Sequence, residues 1–517
     1  MLESYQAEHN SQNIYFRSIV GAAEAGSRMR LGLQLRTGEP VRQVLLRLWQ
    51  DQAGEQLVTL VSHDANAAQR FYTAWIELPD HGCLLWYYFI ITMESGTYFY
   101  GNNAEMLGGV GALYREQPPS YQVTIYNRGA HTPDWFKNSV MYQIFPDRFA
   151  RAGDTIVRKK GAVIRTDWTD DPMYLKDPDT KEIIAYDFFG GNLRGVMEKL
   201  DYLEKLGISC IYFNPVFESE SNHHYDTGDY HRIDPMLGDI EDFRRLVAAA
   251  RERGIRIILD GVFSHTGSNS IYFNRRKQYD SLGAYQSKES PYYSWYRFRN
   301  FPNEYDCWWN FDTLPNVNET DPSYMDFIIT GEDSVLHHWM NEGIAGWRLD
   351  VIDELPPTFS KTFFAELKKR SPDAVMIGEV WEDASNKVAY GTPREYLSGN
   401  EMDSADGELT VRRMASQIEN YPKENLYAMM NLISSHDVQR AITILGDVPY
   451  YEGMPAIEQS RVRMTLDQAM LGIRRLIMAT LWQMTYPGVP SVYYGDEIGM
   501  QGFKDPFNRR PYDWEHG

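Results

Sequence analysis

Val140-Met-Tyr-Gln-Ile-Phe145 and Cys210-Ile-Tyr-Phe213 are short, almost wholly apolar runs, and between them Leu193 to Leu206 carries apolar residues at helical spacing. Strands buried on both faces read as continuous apolar runs, and two of them joined by an amphipathic helix make a βαβ unit, hence a parallel sheet. The rhythm continues through Ile255-Arg-Ile-Ile-Leu-Asp260, Gly346-Trp-Arg-Leu-Asp350, Ala374-Val-Met-Ile-Gly378, Ala428-Met-Met-Asn-Leu-Ile433 and Pro490-Ser-Val-Tyr-Tyr494. Polar or charged residues follow nearly every run. A parallel barrel places its chemistry at the C-terminal ends of its strands, so this punctuation predicts a (β/α)8 TIM barrel ahead of a doubly wound sheet.

Outward from the barrel the pattern changes on both scales. Before about Tyr126 the chain alternates apolar and polar residues in short runs such as Met29-Arg-Leu-Gly-Leu-Gln-Leu-Arg36 and Leu84-Leu-Trp-Tyr-Tyr-Phe-Ile-Ile91, which predicts an antiparallel β-sandwich over 1–126. A turn-rich linker, 127–138, separates it from a barrel over 139–265 and 319–517. Residues 266–318, with Tyr292-Tyr-Ser-Trp-Tyr296 and Cys307-Trp-Trp309, interrupt the alternation after the third strand and are expected to roof the cleft. The sixth strand has no convincing apolar run: Glu401-Met-Asp-Ser-Ala-Asp-Gly407 offers none, and a closed barrel needs a strand there. We therefore expect a break or a missing segment near Asp403 to Gly407.

With 517 residues and a formal charge of −20, the chain is too long for a single small module and opposes a phosphate backbone or an anionic membrane surface. No run reaches the length of a bilayer span. Cys83, Cys210 and Cys307 lie too far apart for a disulfide framework or a zinc cluster, and no secretory leader opens the sequence, so a cytoplasmic location is expected.

Four strand ends carry the chemistry: Asp260 with His265, Arg348 with Asp350, Glu379, and His436 with Asp437. Arg348 and Asp350 are two apart, so both point to one face, and Glu379 ends the next strand. An acid pair on adjacent strands, with a third acid from Asp437 opposite, is the equipment of glycosidic bond cleavage, in which one carboxylate attacks the anomeric carbon and the other protonates the leaving oxygen. Arg348 is expected to hold Asp350 ionised. Glu379, beside Trp381, is expected to be desolvated and to keep a proton.

Taken together, Asp260-Gly-Val-Phe-Ser-His265, Gly346-Trp-Arg-Leu-Asp350-Val-Ile-Asp, Gly378-Glu379-Val-Trp, Ser434-Ser-His436-Asp437, Gly488-Val-Pro-Ser-Val-Tyr-Tyr-Gly-Asp-Glu497, Tyr142-Gln-Ile-Phe-Pro-Asp-Arg-Phe149 and His224-Tyr225-Asp226-Thr-Gly-Asp-Tyr230 resemble the α-amylase superfamily, in its neopullulanase, cyclomaltodextrinase and amylopullulanase branch. The resemblance implies a retaining α-glucan hydrolase with Asp350 as nucleophile, Glu379 as general acid and base, and Asp437 as transition-state stabiliser. It implies that Tyr225, Asp260, His265, Arg348, Trp381 and His436 line the substrate site. It implies a starch-binding-like sandwich that often helps form a homodimer, and α-glucan rather than nucleic acid or membrane as partner. A transglycosylase or isomerase on the same site, and a catalytically dead glucan-binding protein, are the competing readings, the last opposed by the full acid set.

The departures are as informative. Ser264 stands where the branch more usually has Asn, and the branch's longer segment after the position of Asp403 and its C-terminal sandwich after Trp514 have no counterpart here. Relatives often hold calcium on oxygens of the segments matching Arg151 to Asp154 and Gly190-Gly-Asn192; Arg151 brings a cation there, so no cofactor is expected and calcium binding is expected to be weak or absent. His223-His224 lacks further ligand spacing for a transition metal. Trp49, Trp75 and Trp86, within alternating strands, are expected in the sandwich core, while Trp308 and Trp309 are placed equally between roof packing and substrate contact.

Overall fold

The structure, a computed structural model, describes the chain except residues 1, 4–5, 52, 67–68, 154–158, 160–161, 177–182, 382, 387–406, 452 and 516–517. The expected break near Asp403 lies outside the described residues. The chain forms two compact bodies: one contains Met1–Thr132 and the described residues between Val380 and Ala428, the other Pro133–Glu379 and Met429–Gly517.

The first body is built on two antiparallel sheets. In one, Arg28–Arg36 pairs with Gln69–Glu77; in the other, Val41–Gln50 pairs with Cys83–Met93. Alternation sets the core: Leu31, Leu33, Leu35, Leu46, Leu48, Tyr87, Phe89 and Ile91 are buried together. The same period corrects the tryptophan expectation. Ala74 and Ile76 point inward, so Trp75 between them faces out, 51% exposed beneath the Arg28 guanidinium. Trp49 and Trp86 lie opposite each other in the register and are half-buried. The helix Gly407–Asn420, expected within the barrel range 319–517, belongs to this body instead. Its Glu419 is buried against the fully buried Arg17, with 2.8 Å between Oε1 and Nη1, and the Gln12 carboxamide donates to the other carboxylate oxygen.

In the second body seven parallel strands form one sheet. In sequence they are Met141–Ile144, Cys210–Phe213, Arg256–Gly261, Gly346–Leu349, Val375–Gly378, Met430–Leu432 and Val489–Tyr493. Each of the first four pairs with the next, the last pairs with the first, and Met430–Leu432 pairs with the last. This is the cyclic order of a (β/α)8 barrel, with Val375–Gly378 and Met430–Leu432 flanking the place of the sixth strand, which is not found among the described residues. Met141–Ile144, Cys210–Phe213 and Gly346–Leu349 are buried from end to end, as their apolar runs predicted. Gly346 is required by close approach, because a Cβ there would collide with the Val375 carbonyl of the neighbouring strand.

Helices seal the outside by matching spacing. Ile240–Glu252 is capped by the Asp239 side chain, which accepts the Asp242 N–H, and buries Phe243, Leu246, Val247 and Ala250. Pro357–Arg370 starts on a proline and buries Phe359, Phe363 and Leu367 at intervals of four. Residues 266–318 are no separate layer: Tyr272, Phe273, Trp295, Tyr296 and Tyr305 join the main core of this body. Their far end returns across the third strand, where the Val317 N–H donates to the Ser264 carbonyl. Among the described residues no helix is long and apolar enough to cross a membrane.

Candidate active site

Adjacent strands bring three carboxylates onto one cation. Asp260 and Arg348 face each other in the register of the third and fourth strands, and Asp350 and Glu379 follow the fourth and fifth. Arg348 Nη1 donates to Asp260 Oδ1 at 2.9 Å and to Asp350 Oδ1 at 2.8 Å, while Nη2 lies 2.7 Å from Glu379 Oε2. Asp260, Arg348 and Asp350 are all buried. Burial pushes the carboxyls of Asp260 and Asp350 above the usual range, and the neighbouring acids add to the shift; the guanidinium offsets only part of it. One positive charge does not neutralise three negative ones, and Asp260 and Asp350 titrate as a coupled pair that holds its protons more tightly than isolated carboxyls do. The expectation that Arg348 alone keeps Asp350 ionised is corrected to this shared arrangement. The apolar setting expected for Glu379 is corrected too: its carboxylate meets Arg348 and accepts the Val351 N–H at 3.0 Å.

A second layer holds the cluster. Asp260 Oδ2 accepts the hydroxyls of Tyr212 at 2.6 Å and Tyr225 at 2.9 Å. The Tyr225 hydroxyl lies 2.7 Å from His436 Nε2, and the two rings stack with centroids 5.3 Å apart. The Gln143 carboxamide N–H donates to His436 Nδ1 at 2.9 Å, and since an amide NH2 can only donate, the proton of neutral His436 sits on Nε2. Burial and the cations Arg509 and Arg348 hold His436 well below the usual histidine range, so it is neutral. His265 is buried, with Nδ1 3.0 Å from the Ser264 hydroxyl and its ring 5.3 Å from Trp308; burial lowers it to about 4. Its Nε2 is buried without a hydrogen-bond partner among the described residues.

Asp437 stands apart from the trio. Its side chain is 53% exposed and reaches the cluster through His436, 3.2 Å away, rather than by direct contact with Arg348. It follows Met430–Leu432, which among the described residues pairs with one strand where a strand of a closed barrel has two neighbours. Trp381 follows Glu379 by two residues and is 46% exposed; it falls with the first body. Trp308 and Trp309 stack on each other at 5.1 Å and donate their indole N–H groups to the two oxygens of Glu354, at 2.8 and 3.1 Å.

The sequence reading missed Gln143, Asn214, Tyr212, Glu354 and Arg509. The signal for the first was a glutamine inside an apolar strand: Gln143 is buried and bridges His436 and Asn214. Arg509, far along the chain, donates to the His436 carbonyl at 2.9 Å and pairs with Asp505.

The segments named for calcium offer few free ligands. The Arg151 guanidinium lies over Trp168, the Asn192 carboxamide oxygen caps the Gly195 N–H, and its NH2 donates to the Ala152 carbonyl; Asp154 lies outside the described residues. Among the described residues, no group of three or more His, Cys, Asp or Glu could hold a metal.

The alpha-amylase catalytic domain matches residues 143–517, the span that carries every one of these strand ends. The chain belongs to the α-amylase family. It is 35% identical to the amylopullulanase of Thermoanaerobacter thermohydrosulfuricus over 563 positions, with 98% of this chain and 37% of that protein covered. It is 32% identical to neopullulanase 2 of Thermoactinomyces vulgaris, covering 95% of this chain and 78% of that one. A solved cyclomaltodextrinase superposes with a TM-score of 0.61 at 26% identity, covering 98% of this chain and 81% of that chain. The α-amylase match to the amylopullulanase spans well under half of that relative, and its 563 positions exceed the 517 residues here, so the relative carries segments that this chain lacks.

Proposed function

We propose that the chain is an endo-acting, retaining α-glucan hydrolase that cleaves α-1,4 glucosidic bonds, and α-1,6 bonds as well, in maltooligosaccharides, pullulan or cyclodextrins. The single observation behind this reading is the sharing of Arg348 by Asp260, Asp350 and Glu379 at neighbouring strand ends. Relatives named amylopullulanase and neopullulanase support the substrate class.

In this reading Asp350 attacks the anomeric carbon while Glu379 passes a proton to the leaving oxygen; Glu379 then takes a proton from the water that hydrolyses the glycosyl intermediate. Tyr225 and the unpartnered His265 Nε2 supply polar groups for the sugar hydroxyls, and Asp437 joins once substrate fills the cleft. The chemistry rests on side chains alone, without a cofactor. A cytoplasmic setting accords with three free cysteines.

The test is the anomeric form of the first product. Two inversions give the α-anomer by NMR before mutarotation, whereas a β-anomer sinks the reading. Product analysis on pullulan assigns the bond: panose, isopanose and maltotriose report different cleavage sites. A dominance of transfer products over reducing sugar favours the transglycosylase.

A further inference from the structure

Val351, the residue after the proposed nucleophile, has φ +39° and ψ +59° and is buried. For a β-branched side chain this left-handed backbone is strained, and such strain persists only where the surroundings impose it. Its effect is visible in the hydrogen bonds. The Asp350 N–H donates to the Gly261 carbonyl on the third-strand side. In an extended chain successive N–H groups alternate between the two neighbouring strands, so Val351 would face the fifth strand and Ile352 the third. The Val351 N–H keeps to the fifth-strand side and donates to the Glu379 carboxylate at 3.0 Å. The left-handed turn at Val351 breaks the alternation one residue later, where the Ile352 N–H, instead of facing the third strand, donates to the Glu379 carbonyl at 3.1 Å. Two successive N–H groups thus hold one acidic residue, one at its carboxylate and one at its backbone carbonyl.

We propose that Val351 is a positioning residue: its N–H holds the Glu379 carboxylate, its left-handed backbone turns the following N–H onto the Glu379 carbonyl, and the two together fix that carboxylate relative to Asp350. This rests on Glu379 being the acid and base. The other groups around Glu379 are Arg348 and Asp350 from the fourth strand, Asp260 from the third, Tyr212 from the second and His436 after the seventh barrel position.

The direct test replaces the Val351 amide by an ester in the full-length chain, which keeps the side chain and removes only the N–H. A general acid and base that loses the donor fixing it is misplaced for both proton transfers, so kcat should fall about tenfold, with KM changed less than twofold. A folded ester chain with unchanged kcat overturns the proposal. If the ester chain fails to fold, the unmodified protein labelled with 15N-valine decides: the Val351 amide proton should shift with pH and cease to do so in Glu379→Gln. An amide signal indifferent to both overturns the proposal. Should Glu379→Gln itself turn over unactivated glucan at the wild-type rate, the assignment of Glu379 fails instead, which separates the two ideas.

Discussion

Arg348 Nη2 lies 2.7 Å from Glu379 Oε2, and through Nη1 the same guanidinium reaches Asp260 and Asp350. A planar fork can serve three carboxylates in this way; a point charge cannot. Arg348→Met should therefore lower kcat/KM by about three orders of magnitude or more, because it leaves buried acids without a counter-charge. With the cation gone, the carboxyls titrate higher, so the acid limb of kcat/KM should move to higher pH. Arg348→Lys should fall between the two. The check is a pH profile of all three proteins.

Stability should report the same cluster with a definite sign. The folded-state carboxyl of Asp350 titrates above its unfolded value, so its contribution to stability is fully present below the unfolded range and is lost as pH rises through the folded one. At neutral pH the buried acid is a cost. Asp350→Asn should melt higher than the wild type at pH 7, by about 2 °C or more, and the gain should shrink as the pH is lowered towards 4. A gain that grows on acidification would contradict the assignment.

Much of this site was legible because strand ends in a parallel barrel are marked by abrupt polarity after an apolar run, as at Asp260, Asp350 and Glu379. Those marks do not say how side chains share partners. That Arg348 serves three acids depends on the pairing of the third, fourth and fifth strands, and that Gln143 orients His436 depends on the closure that brings the first strand beside the last. Alternation alone does not say which parity faces the core: Trp75 sits between inward-facing Ala74 and Ile76 and so faces out. The helix Gly407–Asn420 was assigned by chain order, whereas the buried pair between Arg17 and Glu419 links residues 402 apart.

That pair gives a further test. Arg17 also donates to the carbonyls of Ile19, Gly21 and Gln122, so removing its partner leaves an uncompensated buried cation. Glu419→Ala should destabilise the first body by about 3 to 5 kcal/mol. Calorimetry should show its transition moving down while active-site titration at low temperature still finds a functional cluster.

Cation dependence is checked with a chelator. Arg151 already places a positive charge in the segment where oxygen ligands are sought, and Asn192 spends its carboxamide on a helix cap. Dialysis against EDTA should leave kcat within about twofold and the melting curve unmoved. Activity abolished by the chelator and restored by calcium would contradict this.

The catalytic roles themselves separate by leaving group. Asp350→Asn keeps the shape of the side chain and removes the attacking oxygen anion, so turnover should fall by several orders of magnitude on every substrate while binding persists. Glu379→Gln removes only the transferable proton. On natural glucan it should be nearly as inactive, but an activated aryl glycoside or glycosyl fluoride needs no protonation to depart, and its glycosyl-enzyme should still form and accumulate. The carboxyl groups of Asp350 and Glu379 meet the two terminal nitrogens of one guanidinium, and a retaining enzyme requires them roughly 5 Å apart, against the roughly 6.5 to 9.5 Å that admits water between them. Trapping the intermediate in Glu379→Gln and finding it by mass spectrometry on the peptide that contains Asp350 would fix both roles at once. A label on any other carboxylate, or equal loss in both variants on the activated substrate, would show that the nucleophile and the proton donor have been assigned wrongly.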